Sequence, residues 1–185
     1  KIDSITNLVS LENNDVIVIE GDEYFSSALD ERSKFIHYNP DILVVSGVEW
    51  DHINVFPTLE LYQDAFKNIL HTTSIESKQI FYCGDDRFLS DFLTPTHYIQ
   101  PYYLPKYKIE NNQFIIIHNS HKIPLNIFGK HNLYNIEAAR LVSLKLGVSE
   151  RQFYKSIQSF KGAEKRLNLI KNNPQKNSAV FYDFA

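Results

Sequence analysis

The sequence has one cysteine, no methionine and no long apolar run. The single Cys83 excludes an internal disulfide framework and fits a reducing compartment. No apolar segment approaches the roughly 20 residues that a transmembrane helix needs, and no signal peptide is evident. A net charge of −3 argues against a nucleic-acid surface built from bulk positive charge. We therefore expect a cytoplasmic protein that binds neither membrane nor nucleic acid.

Several common catalytic signatures are also missing. The sequence contains no G-x-x-x-x-G-K-[ST] phosphate loop, no C-x-x-C pair and no G-x-S-x-G elbow. Nothing in the sequence around Cys83 indicates an activated thiol, so we expect it to serve packing. The chain begins KIDSITNLVS and ends VFYDFA, within an apparent strand. With no methionine present, we expect both ends to lie inside a longer polypeptide.

The residues that are present predict an α/β fold. The chain is 43% hydrophobic, which is enough to bury a sizeable core. The runs DVIVIE (15–20) and DILVVS (41–46), and the weaker QIFYCG (79–84), are typical of strands covered on both faces. Between the last two, residues 57–71 have helical spacing, with Thr58 as a plausible N-cap. This alternation predicts a mostly parallel, Rossmann-like sheet flanked by helices.

The second half of the chain changes character. We predict a short helix over 85–93, an antiparallel hairpin or meander within 97–128, and a strong helix over 132–147. Ser149 and Gln152 fit a capping box for a further helix. A polar stretch then leads to a last strand from residue 178. We expect one domain over 1–164 and the beginning of a second α/β domain over 165–185.

A group of acidic residues follows the first predicted strand. Glu20, Asp22 and Glu23 stand in VIVIEGDEY without a basic residue beside them, and Asp51 and His52 follow the second strand. Ligands bind beyond the carboxyl ends of strands in such sheets. A carboxylate and a neutral imidazole there could share Mg²⁺ with nucleotide phosphates. The alternative of a solvated turn, with His52 orienting its loop, remains open.

A second group stands in FGKHNLYNIEAAR (128–140), where His131, Asn132 and Asn135 cluster at a helix start. Two asparagines three residues apart share a helical face, and their carboxamides could read a purine edge. Capping of the helix by Asn132 is the alternative. Further along, Arg166 near the expected domain boundary could reach phosphate, and a solvated charged face is the alternative for its segment. Asp183 follows the last apolar strand, at the expected edge of a sheet.

Five short motifs, in this order and spacing, resemble the Mur ligase family: EGDEY, EWDHINVFPT, GKHNLYNIEAA, FKGAEKRLNL and YDFA. The resemblance implies an ATP-dependent, amide-bond-forming ligase of peptidoglycan synthesis. It covers most of the central ATPase domain and the first strand of the C-terminal domain. The stretch VIEGDEY…DERSKFIHYNPDI most resembles the branch that joins UDP-N-acetylmuramate to L-alanyl-γ-D-glutamyl-meso-diaminopimelate, and RSKF (32–35) is its main discriminator. UDP-N-acetylmuramate–L-alanine ligase and a non-catalytic nucleotide-binding remnant are the alternatives.

The resemblance also implies roles for individual residues. It assigns Glu20 and His52 to Mg²⁺, Asn132 and Asn135 to the nucleotide, Arg166 to ATP and Asp183 to the ribose. In several branches a carbamylated lysine bridges metals at the spacing of Lys67, although Lys67 also fits a solvated helix face. The reaction implied is attack of the muramyl carboxylate on the γ-phosphate of ATP, which gives an acyl phosphate and ADP. The acceptor amine then attacks the carbonyl carbon, and phosphate leaves.

Two expected parts of the family pattern do not occur in the sequence. They are the phosphate loop, which would precede residue 1, and the histidine that would follow YDFA. We therefore expect the 185-residue chain to be inactive on its own.

Overall fold

The computed structural model describes residues 14–76, 78–162, 168–176 and 178–182. Within these ranges the strands are β1 (Phe25–Ser27), β2 (Asp30–Ser33), β3 (Ile42–Val45), β4 (Gln79–Cys83), β5 (Ile99–Tyr102), β6 (Tyr107–Glu110), β7 (Gln113–His118), β8 (His121–Pro124), β9 (Asn168–Asn173) and β10 (Ser178–Tyr182). The helices are α1 (Leu59–Ile75), α2 (Arg87–Phe92), α3 (Lys130–Lys145) and α4 (Glu150–Ile157). Short 3₁₀ turns cover Lys34–His37 and Pro174–Lys176.

A parallel sheet in the order β3–β4–β5 forms the centre of the first half. The strands predicted over 41–46 and 79–84 are confirmed as β3 and β4, and every residue of β4 is buried. The third strand, β5, lies within the segment that was predicted to be antiparallel. It pairs parallel with β4, placing Ile99 opposite Ile80.

The predicted strand over 15–20 is wrong in this structure. The segment is irregular and exposed, with 71% of Ile17 and 88% of Val18 accessible to solvent. A strand needs a hydrogen-bonded neighbour, and none of the strands in the described ranges pairs with this segment. Apolar composition alone therefore does not make it a strand here.

Helices cover both faces of the parallel sheet. The predicted helix is confirmed as α1, whose N-cap Thr58 accepts a hydrogen bond from the Leu61 amide at 3.3 Å. Leu70 of α1 packs in one cluster with Ile80 and Tyr82 of β4. The alternate residues of β4 pack against α3 on the other face, where Cys83 is buried in a second cluster. The packing role expected for Cys83 is thus confirmed.

The second sheet is the predicted antiparallel meander, in the order β6–β7–β8. Asn111 and Asn112 both have positive φ, of 50° and 60°, as a tight hairpin turn requires. Ile116 of this sheet packs with residues of α3 and α4 in a third cluster. The capping box of α4 is confirmed, since Ser149 and Gln152 bond each other's backbone amides.

One strand near the C-terminal end was not predicted from the sequence. The short helix predicted over 85–93 is confirmed as α2, and the last predicted strand is confirmed as β10. However, β10 pairs antiparallel with β9, which was not predicted because its NLIKNN sequence is mostly polar. The division into domains at residue 164 stays a prediction. None of the helices in the described ranges has both the length and the apolar character needed to cross a bilayer.

Candidate metal and nucleotide site

The acidic turn after residue 20 is fixed by a lysine that is distant in sequence. One carboxylate oxygen of Asp22 accepts from the Tyr24 amide at 2.8 Å, and the other accepts from Nζ of Lys34 at 2.7 Å. The Lys34 hydrogen bond is the main cause of a lowered pKa for Asp22. The backbone amide of Lys34 also donates to the Tyr24 carbonyl at 2.9 Å. The turn therefore has a basic partner that its immediate sequence lacks.

His52 lies on a tight turn in the loop that follows β3. Its φ is +59°, in the left-handed region, which a non-glycine residue occupies only when its surroundings enforce it. Its carbonyl accepts from the amides of Val55 and Phe56 at 2.8 and 2.9 Å. The indole of Trp50 closes the same turn by donating to the Phe56 carbonyl at 3.0 Å. These bonds fix the backbone from which the imidazole projects.

Both nitrogens of the His52 imidazole have partners. Nδ1 lies 2.6 Å from the Tyr24 hydroxyl. Nε2 lies 3.0 Å from a carboxylate oxygen of Glu23 and 3.7 Å from one of Asp51. The structure thus brings the two motifs EGDEY and EWDHINVFPT into direct contact. An open cleft of about 360 Å³ adjoins the ring and is lined by residues 50–54.

A row of aromatic rings packs against the acidic turn and the turn that carries His52. Phe56 makes edge-on contacts with Phe25 and Tyr62, at centroid distances of 5.9 and 5.2 Å. Phe66 continues the row from Tyr62 to Phe35, at 5.1 and 5.2 Å. Burial, with smaller contributions from nearby carboxylates including Glu23, raises the pKa of Tyr62 to about 12. The acidic turn and the His52 turn therefore share one apolar base on α1.

Asp86 connects the loops that follow β3 and β4. One of its oxygens accepts from the Val48 amide at 2.7 Å, and the other caps α2 by accepting from the Leu89 amide at 2.9 Å. The carboxyl ends of neighbouring parallel strands meet at one edge of a sheet. The candidate site is therefore built on the edge where ligands bind in folds of this kind.

The carboxylate that contacts His52 is Glu23, whereas the sequence pointed to Glu20. Glu20 is exposed, and the contacts between described residues include no hydrogen bond or ion pair from it. Three residues of chain span at most about 11 Å, so Glu20 cannot lie far from Glu23. Among the described residues, no group of three or more acidic, histidine or cysteine side chains is arranged to hold a metal ion. The metal assignment stays a prediction.

Lys67, a possible carbamate site, lies on α1. Its Nζ is 2.6 Å from a carboxylate oxygen of Asp64, one turn earlier, and both side chains are substantially exposed. An exposed ion pair between Lys67 and Asp64 agrees with the alternative interpretation, in which Lys67 belongs to a solvated helix face.

The start of α3 differs from the expected capping arrangement. The helix begins at Lys130, its N-cap is Gly129 with φ of +96°, and Asn132 is therefore not the cap. The Asn132 side-chain amide instead donates back to the Phe128 carbonyl at 2.7 Å. Asn135 is exposed, and the contacts within the described ranges leave its carboxamide unengaged. The structure thus leaves Asn135 available to a ligand.

A tyrosine between the two asparagines ties α3 to the sheet. The Tyr134 hydroxyl donates to a carboxylate oxygen of Asp85, two residues after the end of β4. This hydrogen bond is the main cause of a pKa of about 12 for Tyr134. The beginning of α3 is therefore held near the carboxyl end of β4.

Two predicted site residues, Arg166 and Asp183, lie outside the described residues. Conversely, the sequence interpretation missed Tyr24, Lys34 and Asp86. Tyr24 had a usable signal, because it directly follows the acidic cluster. Lys34 and Asp86 act across 12 and 38 residues of sequence, a separation that a local pattern does not reveal.

Comparisons with known proteins identify the family of the chain. The family model of the Mur ligase middle domain matches residues 4–143. The UDP-N-acetylmuramate–L-alanyl-γ-D-glutamyl-meso-2,6-diaminoheptanedioate ligase of Haemophilus influenzae is 28% identical over 184 residues, covering 94% of this chain and 40% of the relative. The UDP-N-acetylmuramate–L-alanine ligase of Pelagibacter ubique is 25% identical over 202 residues, covering 98% and 41%. The chain thus spans about 40% of the length of these relatives.

A solved structure shows the same fold. The UDP-N-acetylmuramate:L-alanyl-γ-D-glutamyl-meso-diaminopimelate ligase from Neisseria meningitides superposes with a TM-score of 0.63 and 24% identity, covering 78% of this chain and 48% of that one. The parallel sheet between helices, with its antiparallel extension, is therefore an established architecture. Because the family model covers more than half of the sequence, the chain belongs to the Mur ligase family.

Proposed function

We propose that the protein containing this chain is an ATP-dependent ligase that joins UDP-N-acetylmuramate to a murein tripeptide, in the bacterial cytoplasm. The observation that carries the proposal is the direct contact between the EGDEY turn and His52, through Tyr24 and Glu23. The EGDEY turn and the loop that carries His52 thus meet at the edge of the parallel sheet where ligands bind in such folds. The relatives that match this chain include ligases for a tripeptide and for L-alanine.

The spacing between the side chains of Glu23 and His52 suits two ligands of one magnesium ion. Mg²⁺ takes one or two protein carboxylates at about 2.1 Å and completes its octahedron with phosphate and water. Two ligands at right angles are then about 3.0 Å apart, and His52 Nε2 and the Glu23 oxygen are separated by 3.0 Å. We assign Glu20 and His52 to the ion, and Glu23 joins them as a candidate. Bound magnesium would offset the charge of the transferred phosphoryl group.

Other residues of the chain would bind and orient the nucleotide. Among the described residues, the carboxamide of Asn135 near the start of α3 has no hydrogen-bond partner, and the Asn132 amide bonds the Phe128 carbonyl and leaves its oxygen without one. In the proposal Arg166 supplies a second positive charge and Asp183 contacts the ribose. Both belong to the segment 165–185, which we assign to the beginning of a C-terminal domain. Closure of that domain would bring Arg166 to the phosphates and exclude water.

The test replaces the two proposed ligands in the full-length protein. We expect Glu20→Ala and His52→Ala each to abolish ligation while leaving the circular dichroism spectrum unchanged. Glu31→Ala and His71→Ala are the matched controls, because both are exposed and lie outside the proposed site. They should keep wild-type turnover. Near-normal turnover of either site variant would remove that residue from the metal site.

Acceptor choice separates the proposal from its two alternatives. We expect phosphate release from ATP with UDP-N-acetylmuramate to depend on the tripeptide and not on L-alanine. Turnover with L-alanine instead would identify the L-alanine ligase. Mg-ATP binding without turnover on either acceptor would favour a non-catalytic nucleotide-binding protein.

A further inference from the structure

We propose that the Tyr24 hydroxyl is the positioning group that lets His52 change its protonated nitrogen when a cation binds. The inference rests on the proposed function, since it requires a cation at His52. It begins from the 2.6 Å contact between the Tyr24 hydroxyl and Nδ1. The two rings also pack against each other, with centroids 4.5 Å apart.

The hydroxyl is aimed by a turn that is fixed on both sides of Tyr24. The Tyr24 amide donates to Asp22, and the Tyr24 carbonyl accepts from the Lys34 amide. Lys34 then closes the loop through its ion pair with Asp22 at 2.7 Å. With both backbone groups engaged, the backbone that carries the phenol is held in place, and the 2.6 Å contact and the ring packing keep the hydroxyl at His52. The backbone of His52 is held by its own turn.

With a neutral imidazole, the cation-free state requires a hydrogen-bond donor facing Nδ1. Nε2 lies 3.0 Å from the Glu23 carboxylate, which can only accept. Nε2 of neutral His52 therefore carries the proton, and Nδ1 accepts a hydrogen bond from the Tyr24 hydroxyl. In this state the lone pair that would bind a cation is absent from Nε2.

The cation-bound state requires a hydrogen-bond acceptor facing Nδ1 of His52. A cation on Nε2 needs that nitrogen unprotonated, so the imidazole proton resides on Nδ1. A histidine that binds a metal commonly donates its other N–H to a neighbouring acceptor, which fixes its orientation. A hydroxyl is both donor and acceptor, so Tyr24 satisfies either state by rotating its O–H bond. A carboxylate or carbonyl could serve only the second.

The test uses Tyr24→Phe in the full-length protein, because phenylalanine keeps the ring packing and removes only the hydroxyl. Tyr98→Phe, on an exposed side chain outside the site, is the control. Mn²⁺ binding is measured from the electron paramagnetic resonance signal of the free ion. We expect Tyr24→Phe to weaken Mn²⁺ binding about 10- to 100-fold, the usual effect of removing such a partner. Tyr98→Phe should bind as the wild type does.

A second readout reports the tautomer directly. In protein with ¹⁵N-labelled histidine, at one pH, His52 should show a protonated Nε2 without cation and a protonated Nδ1 with saturating Mg²⁺. The His52→Gln variant identifies the signals. We expect Tyr24→Phe to lose the defined Nδ1–H state at the Mg²⁺ concentration that saturates the wild type.

The outcomes separate this inference from the proposed function. If wild type and His52→Gln bind Mn²⁺ equally, or if neither binds it, the metal site is wrong and the role of Tyr24 falls with it. If His52→Gln loses binding while Tyr24→Phe binds as the wild type with the same tautomers, only the role of Tyr24 is overturned.

Discussion

Replacing Phe56 with leucine should weaken the aromatic packing beneath the candidate site and lower the free energy of unfolding more than the same change at an exposed phenylalanine. Phe56 is 4% exposed and makes two edge-on contacts, with Phe25 from the acidic segment and with Tyr62 from α1. An aromatic pair of this kind contributes about 0.5–1.5 kcal/mol beyond the area it buries. Leucine keeps most of the apolar burial and removes both pairs. The expected loss in the free energy of unfolding is therefore about 1–3 kcal/mol.

Urea unfolding of the 185-residue chain, followed by the fluorescence of Trp50, measures this loss. Trp50 is the only tryptophan in the sequence, and its indole bonds the Phe56 carbonyl, so its emission reports on the turn itself. Phe92→Leu is the matched control, because Phe92 is 40% exposed and contacts one ring, Phe88. It should cost less than about 1 kcal/mol.

The same variant tests whether the aromatic row positions His52. The amides of Val55 and Phe56 both bond the His52 carbonyl, so their hydrogen exchange should accelerate in Phe56→Leu. In the full-length protein, the Mg²⁺ concentration for half-maximal turnover should rise. Equal losses of stability for Phe56→Leu and Phe92→Leu, with unchanged exchange at these two amides, would refute the view that the row supports the site.

Three further predictions follow from single features of the structure. Asn135→Ala in the full-length protein should weaken ATP binding in calorimetry far more than binding of the sugar nucleotide, and unchanged ATP affinity would limit Asn135 to the helix surface. Burial raises the pKa of Tyr62 and of Tyr154 to about 12 from 10.0. The contribution of these two protonated phenols to the free energy of unfolding is therefore complete below pH 10 and is lost between about pH 10 and 12. A free energy of unfolding that stays constant across this range would contradict the prediction. A methyl group at Gly84 would lie 2.3 Å from the outer atoms of the Tyr103 ring. Because Tyr103 is 54% exposed and its ring can turn away, Gly84→Ala should cost less than about 1 kcal/mol in urea unfolding. A larger loss would show that the Tyr103 ring is held in place.

The sequence predicted best those elements whose partners stand close by in the chain. The alternation of β3, α1 and β4 follows from apolar runs and helical spacing, and the box between Ser149 and Gln152 needs only four residues. It predicted worst where pairing decides the structure. Residues 15–20 are as apolar as β3, yet they form no strand because composition does not supply a neighbouring edge. Conversely, the polar β9 becomes a strand because β10 provides one.

The candidate site was predictable as a location and not as a set of contacts. His52 and the EGDEY turn were both expected at the carboxyl edge of the sheet, and the structure brings them together. Which carboxylate faces the imidazole depends on the turn geometry that Lys34 and Asp22 impose. That geometry selects Glu23 over Glu20 for contact with Nε2, and neither spacing nor residue type distinguishes the two.

The charge of the two loops leads to one more prediction, on how ATP approaches. Glu20, Asp22, Glu23 and Asp51 bring four carboxylates and Lys34 returns one positive charge, so the formal balance is −3 when histidine is counted as uncharged. Such a cluster repels a bare triphosphate at contact distance. A divalent cation reverses that repulsion, because it binds both sets of oxygens.

ATP affinity of the full-length protein should therefore fall sharply when Mg²⁺ is removed with EDTA, and Lys34→Met should deepen that fall by raising the local negative charge. Glu31→Gln, which changes an exposed carboxylate outside the cluster, is the control. The affinity of uncharged adenosine, which carries no phosphate, should respond to neither change. Equal ATP affinity with and without Mg²⁺ would mean that the phosphates do not approach this edge, and that the carboxylates serve only the turn.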